Sequence, residues 1–206
     1  MSELTGTHRD ALIEATVDEF AAAGYEGASL NRIIRAAGIS KSSFYHAVSS
    51  KAELFDAVVT TLIADVRGRW TPPGPADFTG AEFWERTDEV LERLAALAAD
   101  DRALGLLGRI FYLPAAGTPD ARTRMLEGVR RWLGEVLCAG VGSGAVRDDV
   151  PVDALSAAAF GMLRGLDEWA LANRGDAREA ASAPGILLRG LLMPPSGATS
   201  ARARLH

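Results

Sequence analysis

Residues 27–55 read GASLNRIIRAAGISKSSFYHAVSSKAELF. Their pattern predicts two short helices joined by a tight turn, then the start of a longer third helix. Ser29 is placed to cap the first, whose apolar stripe is Leu30, Ile33, Ile34 and Ala37. Gly38 stands where the turn of a helix-turn-helix asks for a residue that tolerates positive φ, and Ile39 packs that turn. Ser40 is placed to cap the second helix. Phe44 and Val48 then fall on its inner side, while Lys41, Ser42, Ser43, Tyr45 and His46 fall on its outer side. Ser50 and Glu53 have the spacing of a capping box for the following helix, with Lys51 in its first turn. A short exposed helix with donors at its start, braced by a small apolar corner, is the layout of a DNA reader.

Charge points the same way. Between Gly27 and Ser50 the chain carries Arg32, Arg35 and Lys41 and no acidic residue, and Lys51 follows at once, whereas the whole chain has a net charge of −5. A basic strip on an acidic protein is an electrostatic footprint for phosphate. The chain's only two lysines, Lys41 and Lys51, both lie here. Each residue also has a plainer reading. Tyr45 is either a phosphate donor or a core aromatic with its hydroxyl at the surface, and His46 is either a DNA contact or a solvated side chain. Arg32 and Arg35 either meet phosphate or tie helices together.

The pattern continues on both sides. A preceding helix over residues 7–23 ends in Phe20-Ala-Ala-Ala-Gly24-Tyr25. After it come Gly27-Ala-Ser29-Leu30, Ile33, Ala36-Ala37-Gly38-Ile39-Ser40-Lys41, Phe44-Tyr45-His46 and Lys51-Ala-Glu53-Leu54-Phe55. This ordered string resembles the N-terminal domain of the TetR/AcrR family of bacterial transcriptional regulators. The resemblance implies an all-helical homodimer that represses transcription and lets go when a small molecule binds its C-terminal domain, and two heads reading successive major-groove faces predict a palindromic or near-palindromic double-stranded DNA operator. By position it implies DNA contacts from Ser29 and Asn31 at the start of one helix. It implies further contacts from Lys41, Ser42, Ser43, Tyr45 and His46 on the recognition helix, and from Lys51 on a phosphate. The chain departs from the family pattern at Ile34 (usually Ala), Asn31 (often Arg), Ser42 (commonly Gly) and Val48 (commonly Phe). These departures bear on the operator more than on the fold.

With 206 residues, 48% of them hydrophobic, the chain can bury a real core. The expected division is a helix-turn-helix domain at 1–50, a helical ligand-binding and dimerisation domain at 51–193, and a disordered tail at 194–206. No apolar run approaches the length of a membrane span, and the N-terminus is not a secretory signal. The single cysteine, Cys138, excludes an internal disulfide and falls in an apolar helical pattern that suggests a core position. A cytoplasmic protein without cofactor or metal is expected.

Helical patterns fill the remainder. They run from Ala52 to Trp70, Gly80 to Ala99, Asp100 to a stop at Pro114, and onward from Thr118-Pro119. A Gly-rich loop follows at Gly140–Val150, then helices from Asp153 to Asn173 and from Pro184 to Met193. Trp84, Phe111, Tyr112, Met125, Trp132, Met162 and Trp169 are the candidates for lining an apolar effector pocket. Arg109, Arg164, Asp167 and Glu168 are polar groups able to orient a ligand or bridge subunits. Ala158, Gly161 and Gly165, with Leu187, Leu188 and Leu191, are the candidate dimer interface. Two glycines in one helix cost stability and ask for a reason, which is either close packing across subunits or ordinary packing within the chain.

Two rivals stand beside the ligand-controlled repressor. One is a constitutive DNA-binding regulator or activator without a ligand. The other is a helical-bundle enzyme, for which no catalytic motif is present: His8, His46 and His206 are scattered, and there is no HExxH, nucleophile elbow or P-loop.

Overall fold

The structure, a computed structural model, describes residues 6–113, 120–172 and 177–195, and side chains outside 1–7 and 172–181 among these. Every regular element among the described residues is helical: α1 (Gly6–Gly27), α2 (Leu30–Ala36), α3 (Lys41–Ala47), α4 (Lys51–Arg69), α5 (Phe83–Asp100), α6 (Arg102–Phe111), α7 (Ala121–Gly142), α8 (Val152–Ala172) and α9 (Ala177–Leu192). Short 3-10 turns at Pro75–Asp77 and Gly80–Glu82 precede α5. None of the described helices is long and apolar enough to cross a membrane. The chain is all-α, as its periodicity implies.

The helices form two compact units. The first comprises residues 1–71 and 98–125, and the second residues 72–97 and 126–206. In the first, α1 breaks at Gly24, whose φ of 68° needs a residue without a side chain, and the chain then turns toward α2. Phe20, Ile33, Phe44 and Leu54 are fully or almost fully buried in one core that draws on all four helices. Phe20, Tyr25 and Phe55 pack ring against ring, with centroids 4.8–5.7 Å apart. Leu107 and Ile110 of α6 and Ala121 of α7 complete that core. Ion pairs tie α6 to α1, from Arg102 to Glu14 and from Arg109 to Asp18. Arg109 is therefore engaged within the unit.

Asp101 sits where the chain enters α6. Its carboxylate accepts from the Leu104 N–H, capping the helix, and from Arg69 of α4. Burial alone pushes this carboxyl up, but the Arg69 hydrogen bond, the Leu104 N–H and the Arg69 charge outweigh it and hold Asp101 below the usual range. The pair therefore stabilises the fold above about pH 4, the ordinary carboxylate value. That contribution is lost as pH falls through the lower, folded-state value. Asp101→Asn is expected to reduce stability at pH 7 and to flatten its decline toward pH 3, as read from urea unfolding at both values.

In the second unit α5, α7, α8 and α9 surround Phe78, Phe83, Leu137, Val146, Leu155 and Leu188. The Trp84 indole donates to the Ala145 carbonyl at 3.2 Å and that of Trp132 to the Pro73 carbonyl at 2.9 Å. Arg189 of α9 lies over the Trp84 ring and pairs with Asp88 of α5. α7 runs to Gly142, through the start of the expected loop. Gly140 is needed there because a Cβ at this position falls 2.5 Å from Val146 Cγ2 and 2.6 Å from Phe83 Cε2. Both neighbours are buried, so Gly140→Ala is expected to cost about 1–3 kcal/mol by overpacking, seen as a lower Tm.

Several sequence expectations need correction. α9 begins at Ala177, seven residues ahead of Pro184, and carries that proline inside it. Cys138 is exposed and not in the core. Arg164 and Glu168, both named as able to orient a ligand or bridge subunits, pair with each other one turn apart on the surface of α8, which leaves that expectation open. The expected stop at Pro114, the helix start at Thr118-Pro119, the end of the eighth helix at Asn173 and nearly all of the tail lie outside the described residues.

Candidate nucleic-acid interface

α3 carries the outward face its pattern predicts. The Ser40 side chain accepts from the Ser43 N–H at 3.0 Å and so caps the helix, while its hydroxyl meets that of Ser43 at 2.8 Å. Phe44 and Val48 are buried, and Lys41, Ser42, Ser43, Tyr45 and His46 are all exposed. Tyr45 is 51% exposed, far more than a core aromatic, and leans edge-on against Phe44. Gly38, with φ of 65°, makes the turn between α2 and α3. Two short helices are thus held at a fixed angle by an apolar corner, with the polar side of the second left open to solvent.

Elsewhere local spacing misses the actual partners. Ser29 does not cap α2 with its side chain. Its backbone N–H instead donates at 2.8 Å to the Glu19 carboxylate, which reaches over from α1. Arg32 grips the same carboxylate through Nε and Nη2 and the Gly27 carbonyl through Nη2. The Arg32 hydrogen bond, aided by the Ser29 N–H against a smaller effect of burial, holds the Glu19 carboxyl below its usual range. Arg32 is therefore a tie between helices. Asn31 and Arg35 are exposed on α2.

The start of α4 departs in the same way. Ser50 accepts from the Glu53 N–H at 3.1 Å, but the Glu53 carboxylate takes the N–H and hydroxyl of Ser49 in place of the Ser50 N–H. Only half of the expected capping box forms. Lys51 Nζ donates to the Glu26 carbonyl at 3.0 Å and reaches the Ala28 carbonyl at 3.4 Å, and it sits 5.0 Å from the centre of the Tyr25 ring. An ammonium has three donors, so one remains for an external acceptor. Lys51 is thereby held beside the start of α2, where Ser29 and Asn31 also lie.

The candidate effector residues divide between the units. Phe111, Tyr112 and Met125 belong to the first, and Trp84, Trp132, Met162 and Trp169 to the second. Trp132 packs edge-on against Phe78 and Trp84 against Phe83. Of the candidate interface residues, Ala158, Gly161, Gly165 and Leu187 are exposed, Leu191 is half-buried, and Leu188 is buried within its own unit. Leu188 faces inward because it supplies the core side of α9. Among the described residues no group of His, Cys, Asp and Glu is placed to hold a metal.

Residues 12–58 match the family model for bacterial regulatory proteins of the tetR family. No curated protein matches the chain. Solved structures do. A TetR-family transcriptional regulator from Streptomyces coelicolor A3 is 28% identical, with a TM-score of 0.59, covering 88% of this chain and 90% of its own. CprB, a TetR-family protein from S. coelicolor A3(2), is 18% identical, with a TM-score of 0.64 and coverages of 95% and 93%. SmeT, the repressor of the Stenotrophomonas maltophilia multidrug efflux pump SmeDEF, is 12% identical, with a TM-score of 0.67 and coverages of 95% and 93%. At 18% and 12% identity the last two likenesses speak for the fold.

Proposed function

The chain carries a TetR-family DNA-binding domain on an all-helical TetR-like fold, and from that premise we propose that it is a ligand-responsive repressor acting as a homodimer on a palindromic operator. The observation that carries the reading is the open face of α3. Lys41, Ser42, Ser43, Tyr45 and His46 all face solvent on a segment without acidic side chains. Lys41 and Tyr45 supply phosphate contacts, and Ser42, Ser43 and His46 approach base edges in the major groove. Ser29 and Asn31 meet the backbone or bases beside it, and Lys51 holds a phosphate.

One seven-residue helix reads few bases, so two heads spaced about 34–36 Å apart on successive major-groove faces are required for a specific site. Dimerisation through α8 and α9 is favoured by their surfaces. A Cβ built on Gly161 or Gly165 meets nothing within 4 Å in the chain, so packing within the chain gives no reason for either glycine. Beside them Ala158 is exposed, and on α9 Ile186 is 68% exposed and Leu187 45%. A second copy of the same two helices covers these apolar side chains and uses the close approach that glycine permits.

The effector is a largely hydrophobic or aromatic small molecule, with Met162 and Trp169, or Phe111, Tyr112 and Met125, as its candidate contacts. Trp84 and Trp132 are already committed to backbone carbonyls and edge contacts. Release requires that the effector bind the arrangement unable to hold DNA more tightly than the competent one.

The test is binding of the purified protein to duplexes tiled across the DNA flanking its own gene, at two salt concentrations. Salt-sensitive binding to one palindromic tile is expected. Equal binding to all tiles would reduce the protein to a non-specific DNA binder.

A further inference from the structure

We infer that Arg122, in the first turn of α7, is a positioning residue for DNA binding, acting on Lys51 through a stack of two aromatic rings. The inference rests on the DNA-binding reading of Lys51 above.

The stack lies wholly within the first unit. The Arg122 guanidinium lies over the Phe55 ring, 4.6 Å from its centre. Phe55 meets Tyr25 edge to face at 5.7 Å, with ring planes at 87°. Lys51 Nζ lies 5.0 Å from the centre of Tyr25. The order is thus cation, ring, ring, cation, running from α7 through Phe55 of α4 and Tyr25 near the end of α1 to the ammonium of Lys51, the first residue of α4, beside the start of α2. A ring face is negative and its edge positive, so cations on two faces and an edge-to-face contact between the rings are mutually favourable.

Each member is also held from outside the stack. Arg122 is buried, with Nη1 donating to the carbonyls of Ile110, Phe111 and Leu113 and with Nε and Nη2 donating to Asp120. It therefore takes its position from the C-terminal end of α6. Phe55 is buried against Phe20. Lys51 is held by the Glu26 and Ala28 carbonyls. A guanidinium moved with the end of α6 changes the seat of Phe55, and Phe55 changes that of Tyr25. The Tyr25 ring face is one of the supports that keep the Lys51 ammonium in place. None of the motif residues of the helix-turn-helix includes Arg122, and no spacing rule connects it to Lys51, 71 positions earlier.

Two variants separate the link from stability. Phe55→Leu keeps an apolar side chain and all the Arg122 hydrogen bonds but removes one ring from the stack. Arg122→Gln removes the cation at its far end. The first readout needs no DNA. With only Lys41 and Lys51 in the chain, protein carrying ¹³C-labelled lysine gives one side-chain signal displaced by the Tyr25 ring current and one ordinary signal from Lys41 as internal control. Both variants are expected to shift the Lys51 signal toward the Lys41 position and leave Lys41 unmoved. A Lys51 signal unchanged in both, with folding verified by circular dichroism, overturns the inference.

The second readout is a double-mutant cycle on the operator tile. Lys51→Ala is expected to weaken binding in the wild type about 10-fold or more, the loss of a charged hydrogen bond of about 1.5–3 kcal/mol. It is expected to do far less in the Phe55→Leu background, where the salt slope is already reduced. Equal effects of Lys51→Ala in both backgrounds, with unchanged slope, also overturn it. Wild-type protein that binds no tile speaks against the DNA-binding reading instead, and the lysine signals then decide the link alone.

Discussion

Replacing Tyr45 and Lys51 together by alanine is expected to abolish operator binding at physiological salt while barely changing thermal unfolding. Tyr45 is half-exposed, its ring touching Phe44 only edge-on, so its removal uncovers little core. The bonds of Lys51 are to carbonyls at a partly exposed surface, and changes at such sites usually stay within about 0.5 kcal/mol. On the interface proposed above, the same two side chains would donate to charged phosphate oxygens. Each such bond is worth about 1.5–3 kcal/mol, or roughly 10-fold or more in affinity. The proposed dimer would be deprived of each donor twice, and the effects would compound. Of the two side chains only Lys51 is a cation. The slope of log affinity against log salt should therefore fall by about 0.9 for each Lys51 removed, thus by roughly two units for the dimer. Fluorescence-anisotropy titration of the operator tile at several salt concentrations checks both quantities. Weak binding with an unchanged slope would place Lys51 away from the DNA backbone.

The largest stability effect is expected at Arg122, where Arg122→Met should cost about 3–5 kcal/mol, the usual result of removing one partner of a buried ion pair. Methionine keeps much of the apolar stem, so the cost arises at the guanidinium. Three carbonyls at the end of α6 each lose a donor, and Asp120, 12% exposed, is left a carboxylate without its cation. Burial pushes the Asp120 carboxyl up, but the Arg122 hydrogen bond and the Thr123 N–H overcome this and keep it charged below the usual range. Arg122→Met removes the largest of these contributions opposing burial. Urea unfolding measures the loss. The double variant Asp120→Asn, Arg122→Met should recover part of it, because leaving one charge unpaired costs more than removing both. No recovery would trace the loss to the carbonyls.

The sequence reveals elements whose causes are local. α3 is legible because its cap, apolar pair and polar face all lie within Ser40–Val48. The break at Gly24 and the turn at Gly38 are likewise written in single residues. What stayed hidden depends on partners brought by folding. Ser29 looks like a cap because it precedes an apolar stripe, yet its side chain makes no cap bond, and its own backbone N–H donates to Glu19, ten positions earlier. Lys51 looks like a free cation until the carbonyls of Glu26 and Ala28 close on it. Pro184 resembles a helix start, since proline suits a first position, but Ala-rich chain ahead of it is helical too. The inward turn of Leu188 and the outward turn of Leu187 separate only once α8 is in place, for the adjacent apolar residues Ile186, Leu187 and Leu188 carry no mark of which side is core.

The bond between Glu19 and Arg32 bears on how the protein spends its time in a cell full of DNA. A carboxylate and a guanidinium locked together present no net charge, so four cations in residues 27–51 act as three toward phosphate. Lys51 already shares its hydrogens with two carbonyls. Attraction to arbitrary duplex scales with the number of phosphates neutralised, whereas in the proposed reading the polar tips of α3 act only on the right bases. A head with a modest cation count dwells briefly on random sequence and returns to solution. On the DNA-binding reading proposed above, occupancy of the operator would then follow its sequence more than the sheer length of the chromosome.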